Sequence, residues 1–236
     1  MSTRRLAVVL IAAGALAFAV MAVLSLAAPG LDLAVSRHFL RAGGFSLAAS
    51  PMADAARTLF RASTHLFPAG VTLAALLAGA GVLRPRLRLR ETAFVLAAYA
   101  LGPGLLVNLG LKTHWGRARP RGIAEFGGTA HFTPPLLPAD QCARDCSFVS
   151  AETAGLAFLA FAVLLTAWPR LPSRAARLAA AAALAGWAAA GAGLRIAVGA
   201  HFFSDVVFAA ALMAMLVPGL WLALGLGRGP LTPAAA

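Results

Sequence analysis

The sequence has few charged residues, and acidic residues and lysine are the scarcest. Only 12% of its 236 residues are charged; eight are acidic, and Lys112 is the single lysine beside nineteen arginines. Soluble domains carry charge on about a quarter of their residues. Together with a hydrophobic content of 61% and a mean hydropathy of +0.83, this shortage argues against a soluble domain and predicts a membrane protein.

Long apolar runs predict six transmembrane helices. A helix needs about 20 apolar residues to cross the hydrocarbon core, and such runs cover residues 6–28, 65–83, 92–111, 150–168, 177–194 and 203–226. We therefore predict an all-α, polytopic membrane protein in which residues 1–236 form a single membrane-embedded domain. The first run is longer than the roughly 7–15 residues of a signal-peptide core, so we expect it to stay in the protein as an anchor.

The distribution of charge predicts an orientation. A net charge of +12 would suggest a nucleic-acid partner in a soluble protein, but these basic residues lie in short connections between apolar runs, so no nucleic acid is expected. Lysine and arginine divide evenly between the two sides, whereas seven of the eight acidic residues fall on one side. We expect that side to face the periplasm, with both termini in the cytoplasm and the chain in the inner (cytoplasmic) membrane.

Two connections on the predicted periplasmic side are long. Residues 29–64 mix apolar residues with arginines and predict interfacial helices outside the membrane core, and the loop after Lys112 is rich in glycine and proline. Cys142 and Cys146 lie in that loop. An oxidising compartment permits a disulfide, but this spacing closes only with a suitable backbone, so a disulfide and two free thiols both stay open. The tail from residue 227 is expected to be disordered.

Two polar clusters lie at the ends of predicted spans on this side. KTHWGRARP places Lys112 and Arg119 at the end of the third span. CSFVSAETA brings Ser150 to the N-terminus of the fourth span, where unpaired backbone N–H groups attract anions. Lys112 also fits a cation that extends from a helix end to water, and Ser150 also fits a helix cap.

The third cluster, GLRIAVGAHFFSD, contains Arg195, His201 and Asp205. Ionisable groups at the edge of a membrane are costly and are therefore functional candidates. If residues 201–205 are helical, His201 and Asp205 share one helix face, close enough for a hydrogen bond. This pattern predicts an oriented nucleophile beside an anion-binding cation.

Together the three clusters resemble the type 2 phosphatidic acid phosphatase family, whose pattern is K-x6-RP, PSGH and SR-x5-H-x3-D. The resemblance implies phosphate binding by Lys112, Arg119, Ser150 and Arg195. It also implies that His201 attacks phosphorus and forms a phosphohistidine, and that Asp205 orients the imidazole. No metal or cofactor is implied, since the cations neutralise the transferring group.

The second motif departs from the family pattern, because PSGH is replaced by VSAE and Glu152 stands where the family has a histidine that protonates the leaving oxygen. Leu194 also replaces the serine of the third motif. Glu152 has three interpretations: an acid that complements the helix dipole, a general acid with a raised pKa, or a residue in a site that needs no general acid because a diphosphate leaves easily. His114 or His131 would be another proton source.

The expected function is hydrolysis or transfer of a lipid phosphate, with polyprenyl diphosphate, lipid A phosphate and phosphatidylglycerol phosphate as candidate substrates. The alternative is a non-catalytic protein that binds or transports a lipid phosphate with a degenerate site. The expected partners are the lipid phosphate and the bilayer, and no oligomeric state is predicted.

Overall fold

The computed structural model describes residues 1–84 and 87–226. The tail from residue 227, which we expected to be disordered, lies outside these residues. Six helices in the described part are long and apolar enough to cross a membrane, and they span Thr3–Ala27, Pro51–Gly79, Leu89–His114, Ala151–Arg170, Arg174–Ala197 and Phe203–Ala223. This confirms the all-α fold class.

The elements follow one another with short connections, except for the loop after the third span. The helices are α1 (Thr3–Ala27), α2 (Leu31–His38), α3 (Pro51–Gly79), α4 (Leu89–Tyr99), a π-helix (Ala100–Leu111), α5 (Lys112–His114), α6 (Ala151–Ala167), α7 (Arg174–Ala197) and α8 (Phe203–Ala223). Three 3-10 turns cover Pro120–Gly122, Ala124–Phe126 and Trp168–Arg170. A two-stranded antiparallel hairpin pairs β1 (Leu40–Arg41) with β2 (Gly44–Phe45).

Helices α6 and α8 form the centre of the bundle. Helix α8 packs most extensively against α1 and α6, and α6 also contacts α7 and α3. Most side chains of α6 are buried, and the fully buried Phe158 and Phe208 belong to one continuous apolar core. Outer helices such as α1 and α3 keep many large apolar side chains exposed, as expected of surfaces that face lipid.

All three polar clusters lie at one end of the bundle. We call it the motif end; it holds the connections 28–50, 115–150 and 198–202. The opposite end is closed by two contacts: the indole of Trp168 donates to the backbone oxygen of Met1 at 2.9 Å, and Arg170 pairs with Glu91 at 2.7 Å. Because the spans alternate in direction, the clusters share one side of the membrane.

The predicted start of the second span at residue 65 was wrong, because α3 begins at Pro51 and extends for 29 residues. Ser50 caps the helix by accepting a hydrogen bond from the Ala53 N–H at 3.3 Å. Arg57 and Arg61, which suggested an interfacial segment, occupy successive turns and line a cavity that opens between helices. Their charge is therefore compatible with a membrane helix. Short helix α2 and the hairpin are what remains of the predicted outer connection.

The third span changes from α- to π-helical geometry at Ala100. Pro103 has no backbone N–H and cannot continue the regular hydrogen-bond ladder. Its carbonyl accepts a hydrogen bond from the side chain of Asn108 at 2.7 Å. Wider helical turns of this kind often occur at functional sites, and here the span leads to Lys112.

Candidate active site

Two glycines allow the loops of the motif end to close over the bundle. Gly116 has a φ of +66°, and a Cβ there would lie 1.6 Å from the carbonyl oxygen of Ala139. Gly199 has a φ of +65°, and a Cβ there would lie 2.4 Å from the ring of Phe45. Neither position accommodates a side chain. The long loop and the hairpin therefore pack tightly around the third cluster.

A cavity of about 710 Å³ opens between α3, the third span and the beginning of α6. Five of the predicted site residues line it: Lys112, Arg119, Glu152, Arg195 and His201. The rest of its polar wall comes from residues that the sequence motifs did not indicate, namely Arg57, Arg61, Thr64, His65, Tyr99, Asn108 and Asp145.

Three cations in the cavity keep hydrogen-bond donors free. The ammonium of Lys112 donates to the Cys146 carbonyl at 2.7 Å, and Nε of Arg119 donates to the Asp145 carbonyl at 2.8 Å. Within the described chain, the Nη groups of Arg119 and Arg195 have no hydrogen-bond partner. Burial, together with nearby Arg121, lowers the pKa of Arg119, but a guanidinium stays charged at neutral pH. These donors can therefore receive phosphoryl oxygens.

His201 is held as a neutral imidazole with a defined tautomer. Its side chain is buried, and Nδ1 lies 2.8 Å from the backbone carbonyl of Ser147. A carbonyl oxygen only accepts, so Nδ1 carries the proton and Nε2 keeps a lone pair. Burial lowers the pKa of His201 to about 4, and Lys112 and Arg195 oppose its protonation while Asp205 favours it. Nε2 is therefore unprotonated at neutral pH and has the lone pair that a nucleophile needs.

Asp205 lies behind the imidazole. Helix α8 begins at Phe203, so His201 precedes it and the expected direct hydrogen bond does not form; Nδ1 lies 3.7 Å from Oδ2 of Asp205. The carboxylate instead accepts from the Ser147 hydroxyl at 2.5 Å, the Phe202 N–H at 2.8 Å and Arg117 at 2.6 Å. Asp205 thus acts on His201 in two ways: it binds the Ser147 hydroxyl, while the Ser147 carbonyl binds the imidazole, and its negative charge lies near the ring.

Arg117 connects Asp205 to a second buried acid that the motifs did not indicate. Its side chain is 0% exposed and pairs with Asp32 at 2.8 Å and Asp205 at 2.6 Å. It also donates to Ser204 and lies over the ring of Phe202 at 4.3 Å. The only signal in the sequence was an additional arginine inside the first motif; Asp32 carried no signal.

Glu152 is engaged by two arginines. Its Oε1 accepts from Arg57 Nε at 3.0 Å and from Arg57 Nη2 at 2.8 Å. Its Oε2 lies 3.3 Å from Nε of Arg195, an ion pair whose angle does not meet hydrogen-bond geometry. Both oxygens therefore face positive charge, which favours the carboxylate over the protonated acid.

The family model of the PAP2 superfamily matches residues 91–226, the part that carries all three clusters. The chain belongs to the PAP2 superfamily. This confirms the resemblance found in the sequence. Residues 1–90 precede the matched region, and they contribute Asp32, Arg57 and Arg61 to the network and cavity described above.

Three PAP2 relatives are named lipid A 4'-phosphatase. The chain is 42% identical over 127 residues to that of Francisella tularensis subsp. novicida, covering 52% of this chain and 54% of the relative. The Rhizobium leguminosarum protein is 40% identical over 120 residues, which cover 51% of this chain and 49% of the relative. The Rhizobium etli protein is 39% identical over 119 residues, which cover 50% of this chain and 44% of the relative. The chain spans about half the length of these curated relatives. No solved structure matches it.

Ser150 lies at the N-terminus of the fourth span as predicted, but in this PAP2 chain it is a helix cap and does not line the cavity. Its side chain is fully buried and caps α6, accepting from the backbone N–H of Thr153 at 3.3 Å and from the Thr153 hydroxyl at 2.9 Å. Ala151 and Glu152, not Ser150, line the cavity. The beginning of α6 therefore reaches the cavity through Ala151 and Glu152, while the serine hydroxyl caps the helix end.

The histidines proposed as other proton sources lie away from the cavity. Nδ1 of His114 bonds with the Thr113 hydroxyl at 2.7 Å and the Gly110 carbonyl at 2.8 Å, and His131 is exposed; among the residues with described positions, neither belongs to the cavity lining. His65 lines the cavity instead, with Nδ1 2.6 Å from the hydroxyl of Tyr99.

Cys142 and Cys146 form a disulfide. The sequence left a disulfide and two free thiols open, and the structure shows the bonded state. The bridge lies in the long loop directly before Ser147, and the Cys146 side chain is buried while Cys142 is half-buried.

Proposed function

We propose that the chain is a metal-independent integral-membrane phosphatase that hydrolyses a lipid phosphate through a phosphohistidine on His201. The observation that carries the proposal is the pairing of a neutral, carbonyl-anchored imidazole with cations whose free donors face the same cavity. In the first step, Nε2 forms a bond to phosphorus while the bond to the lipid oxygen breaks. Water then cleaves the P–N bond, which releases phosphate and restores the imidazole.

The residue roles follow from these contacts. Lys112, Arg119 and Arg195 bind the phosphoryl oxygens and offset the charge of the transition state. The positive imidazolium that forms on His201 is stabilised by the Ser147 carbonyl at 2.8 Å and by the charge of Asp205. Asp205 therefore acts by electrostatics and by fixing Ser147, whose carbonyl takes over the tautomer role expected for a triad carboxylate.

Glu152 is a positioning residue in this proposal. Its contacts with Arg57 and Arg195 hold two cations at the cavity wall, and protonating it would remove both ion pairs. This supports the interpretations in which Glu152 is not the proton donor. The leaving oxygen then takes its proton from water, a step that costs least for a diphosphate, because phosphate is a good leaving group.

Lipid A phosphate is the substrate we favour among the three candidates. The relatives' name points to it, and the cavity supports it: its volume of about 710 Å³ and its polar wall beyond the phosphate cations exceed the needs of one phosphate. Arg61 lies on that wall; it is exposed, and its side chain has no hydrogen-bond or ion-pair partner among residues 1–84 and 87–226. A large polar headgroup would use such donors.

The deciding experiment measures phosphate release by purified protein from lipid A phosphate, polyprenyl diphosphate and phosphatidylglycerol phosphate, each with and without an acceptor lipid. His201→Ala should abolish turnover, and acid-labile phosphate trapped on the wild type should disappear in that variant. Undiminished turnover by His201→Ala would contradict the mechanism. Binding of the lipids without turnover by the wild type would favour the non-catalytic alternative.

We also propose that the motif end faces the periplasm in the inner membrane. The disulfide supports this, because such bonds persist in oxidising compartments. Arg37→Cys at the motif end and Arg174→Cys at the other end are both exposed positions. In intact cells with permeabilised outer membranes, a membrane-impermeant maleimide should label only Arg37→Cys; labelling of only Arg174→Cys would reverse the orientation.

A further inference from the structure

Three consecutive carbonyl oxygens hold three separate groups of the candidate site. The Asp145 carbonyl accepts from Nε of Arg119 at 2.8 Å, the Cys146 carbonyl accepts from Lys112 at 2.7 Å, and the Ser147 carbonyl accepts from Nδ1 of His201 at 2.8 Å. Two phosphate-binding cations and the nucleophile, which are distant in sequence, are thus aligned by one stretch of backbone. We call residues 145–147 the carbonyl segment.

The carbonyl segment is also joined to the buried network behind the imidazole. The hydroxyl of Ser147 donates to Asp205 at 2.5 Å, and its N–H donates to the Arg117 carbonyl at 2.8 Å. Ser147 is fully buried, so water does not compete for these bonds. A displacement of the segment would change the positions of Lys112, Arg119 and His201 together.

The disulfide restrains this segment at its middle residue. Cys146 is the middle residue of the segment, and its bond to Cys142 closes a small ring around the exposed turn between them. Within that ring Asp145 has a φ of +53°, in the left-handed region that side-chain-bearing residues seldom occupy. The covalent ring opposes relaxation of Asp145 toward an ordinary conformation, and that relaxation would turn its carbonyl away from Arg119.

We propose that residues 145–147 are a positioning segment and that the Cys142–Cys146 disulfide is required for their catalytic alignment. This rests on the proposed phosphatase function. Catalytic groups act well only when held within about 0.5 Å of their productive positions, and a misplacement of about 1 Å can reduce the rate about 100-fold. The bond thereby makes activity depend on an oxidising environment, in addition to stabilising the fold.

The redox step is a thiol–disulfide exchange. A dithiol reductant such as dithiothreitol supplies two electrons and two protons: the S–S bond of the protein breaks, Cys142 and Cys146 become thiols, and dithiothreitol becomes its cyclic disulfide. The half-buried Cys142 is the sulfur that the reductant reaches. An excess of oxidised glutathione reverses the reaction and forms reduced glutathione.

The test compares oxidised, reduced and reoxidised wild type on whichever lipid of the panel it hydrolyses fastest, with thiols counted by alkylation. Reduction should lower kcat/KM at least tenfold, weaken inhibition by inorganic phosphate, and leave the protein folded; reoxidation should restore both values. The double variant Cys142→Ser, Cys146→Ser should have the kcat/KM of the reduced wild type, and dithiothreitol should not change it. Arg144→Ala changes an exposed residue of the same ring and should retain activity.

A pH profile adds a readout that general destabilisation would not produce. In the oxidised protein, the acid limb of kcat/KM assigned to His201 should lie near its pKa of about 4. Loss of the Ser147 contact removes a group that favours the imidazolium, but it also admits water, and burial is the largest cause of the low pKa. In the reduced protein that limb should therefore move to higher pH, toward the ordinary pKa of about 6.5.

The outcomes separate the two proposals. Oxidised wild type without activity on any panel lipid would refute the phosphatase function itself. Active wild type whose kcat/KM is unchanged after complete reduction would overturn the positioning role of the disulfide while leaving the phosphatase function intact. Loss of activity that accompanies unfolding and does not return on reoxidation would also overturn it.

Discussion

Arg117 and Arg119 lie two residues apart in the first motif and have opposite environments. Arg117 is fully buried, with ion pairs to Asp32 and Asp205 and a hydrogen bond to Ser204. Arg119 lines the cavity, and in the described structure only its Nε has a partner, the Asp145 carbonyl. One arginine has its donors satisfied by the protein, and the other keeps donors for an anion.

The difference indicates how this chain separates structure from binding. A buried guanidinium whose three nitrogens are all hydrogen-bonded within the protein holds loops together and offers nothing to a substrate. A guanidinium anchored through one nitrogen is oriented but unsatisfied, which is the state expected of a preorganised phosphate ligand. Removing a residue of the first kind should affect folding most, and removing one of the second kind should affect turnover most.

The largest effect is expected for Arg117→Ala. The substitution leaves Asp32 and Asp205 as buried carboxylates without their cation, and breaking such a buried pair costs about 3–5 kcal/mol. We expect a large loss of folded protein in detergent, measured by thermal denaturation and size exclusion. Arg119→Ala, the matched control from the cavity side, should retain the melting temperature. Equal stability of the two variants would remove the distinction drawn between these arginines.

Arg195→Gln should give the next largest effect, on turnover with little change in stability. It removes a charge whose Nη donors face the cavity, and loss of one such transition-state contact typically reduces kcat about 10²–10³-fold. Arg174→Gln, at the exposed start of the same helix, is the control and should behave as wild type. A melting temperature that falls in parallel with kcat would place Arg195 with Arg117 as a structural residue.

Much of the site was predictable, because the three clusters have fixed internal spacing. Lys112, Arg119 and Arg195 reach one cavity with His201, and the six spans were found from hydropathy alone. The roles of Arg117 and Asp32 were not predictable, because they arise from burial and from a contact between residues far apart in the sequence. Arg57 was assigned to an interfacial segment, since sequence does not show that a charged helix face turns inward.

Glu152→Gln should have a moderate effect that does not depend on the leaving group. If Glu152 positions Arg57 and Arg195, lipid monophosphate and diphosphate hydrolysis should fall by similar factors, about tenfold or less. A general acid would instead contribute about 10²–10⁴-fold, and mainly to the monoester. The measurement is kcat/KM for both substrates, with Glu125→Gln at an exposed residue as control. A selective collapse of monoester hydrolysis would restore the general-acid interpretation.

The smallest effect is expected for Arg61→Gln. An exposed charge contact is worth about 0.2–1 kcal/mol, so KM for lipid A phosphate should rise at most about fivefold, with kcat unchanged. Hydrolysis of a small water-soluble phosphate ester should not respond, because it does not reach that wall. Arg37→Gln, exposed at the same end but outside the cavity lining, is the control. An equal response of both substrates would place Arg61 at the phosphate itself.

The π-helix of Ala100–Leu111 constrains the length of the chain before the first motif. Each residue of an α-helix turns the following side chain by about 100° around the axis, so a segment with wider turns sets the direction in which Lys112 emerges. Deleting one residue there would rotate this lone lysine about the helix axis and away from the Cys146 carbonyl. During evolution, substitutions in this stretch should therefore be tolerated more readily than single-residue insertions or deletions.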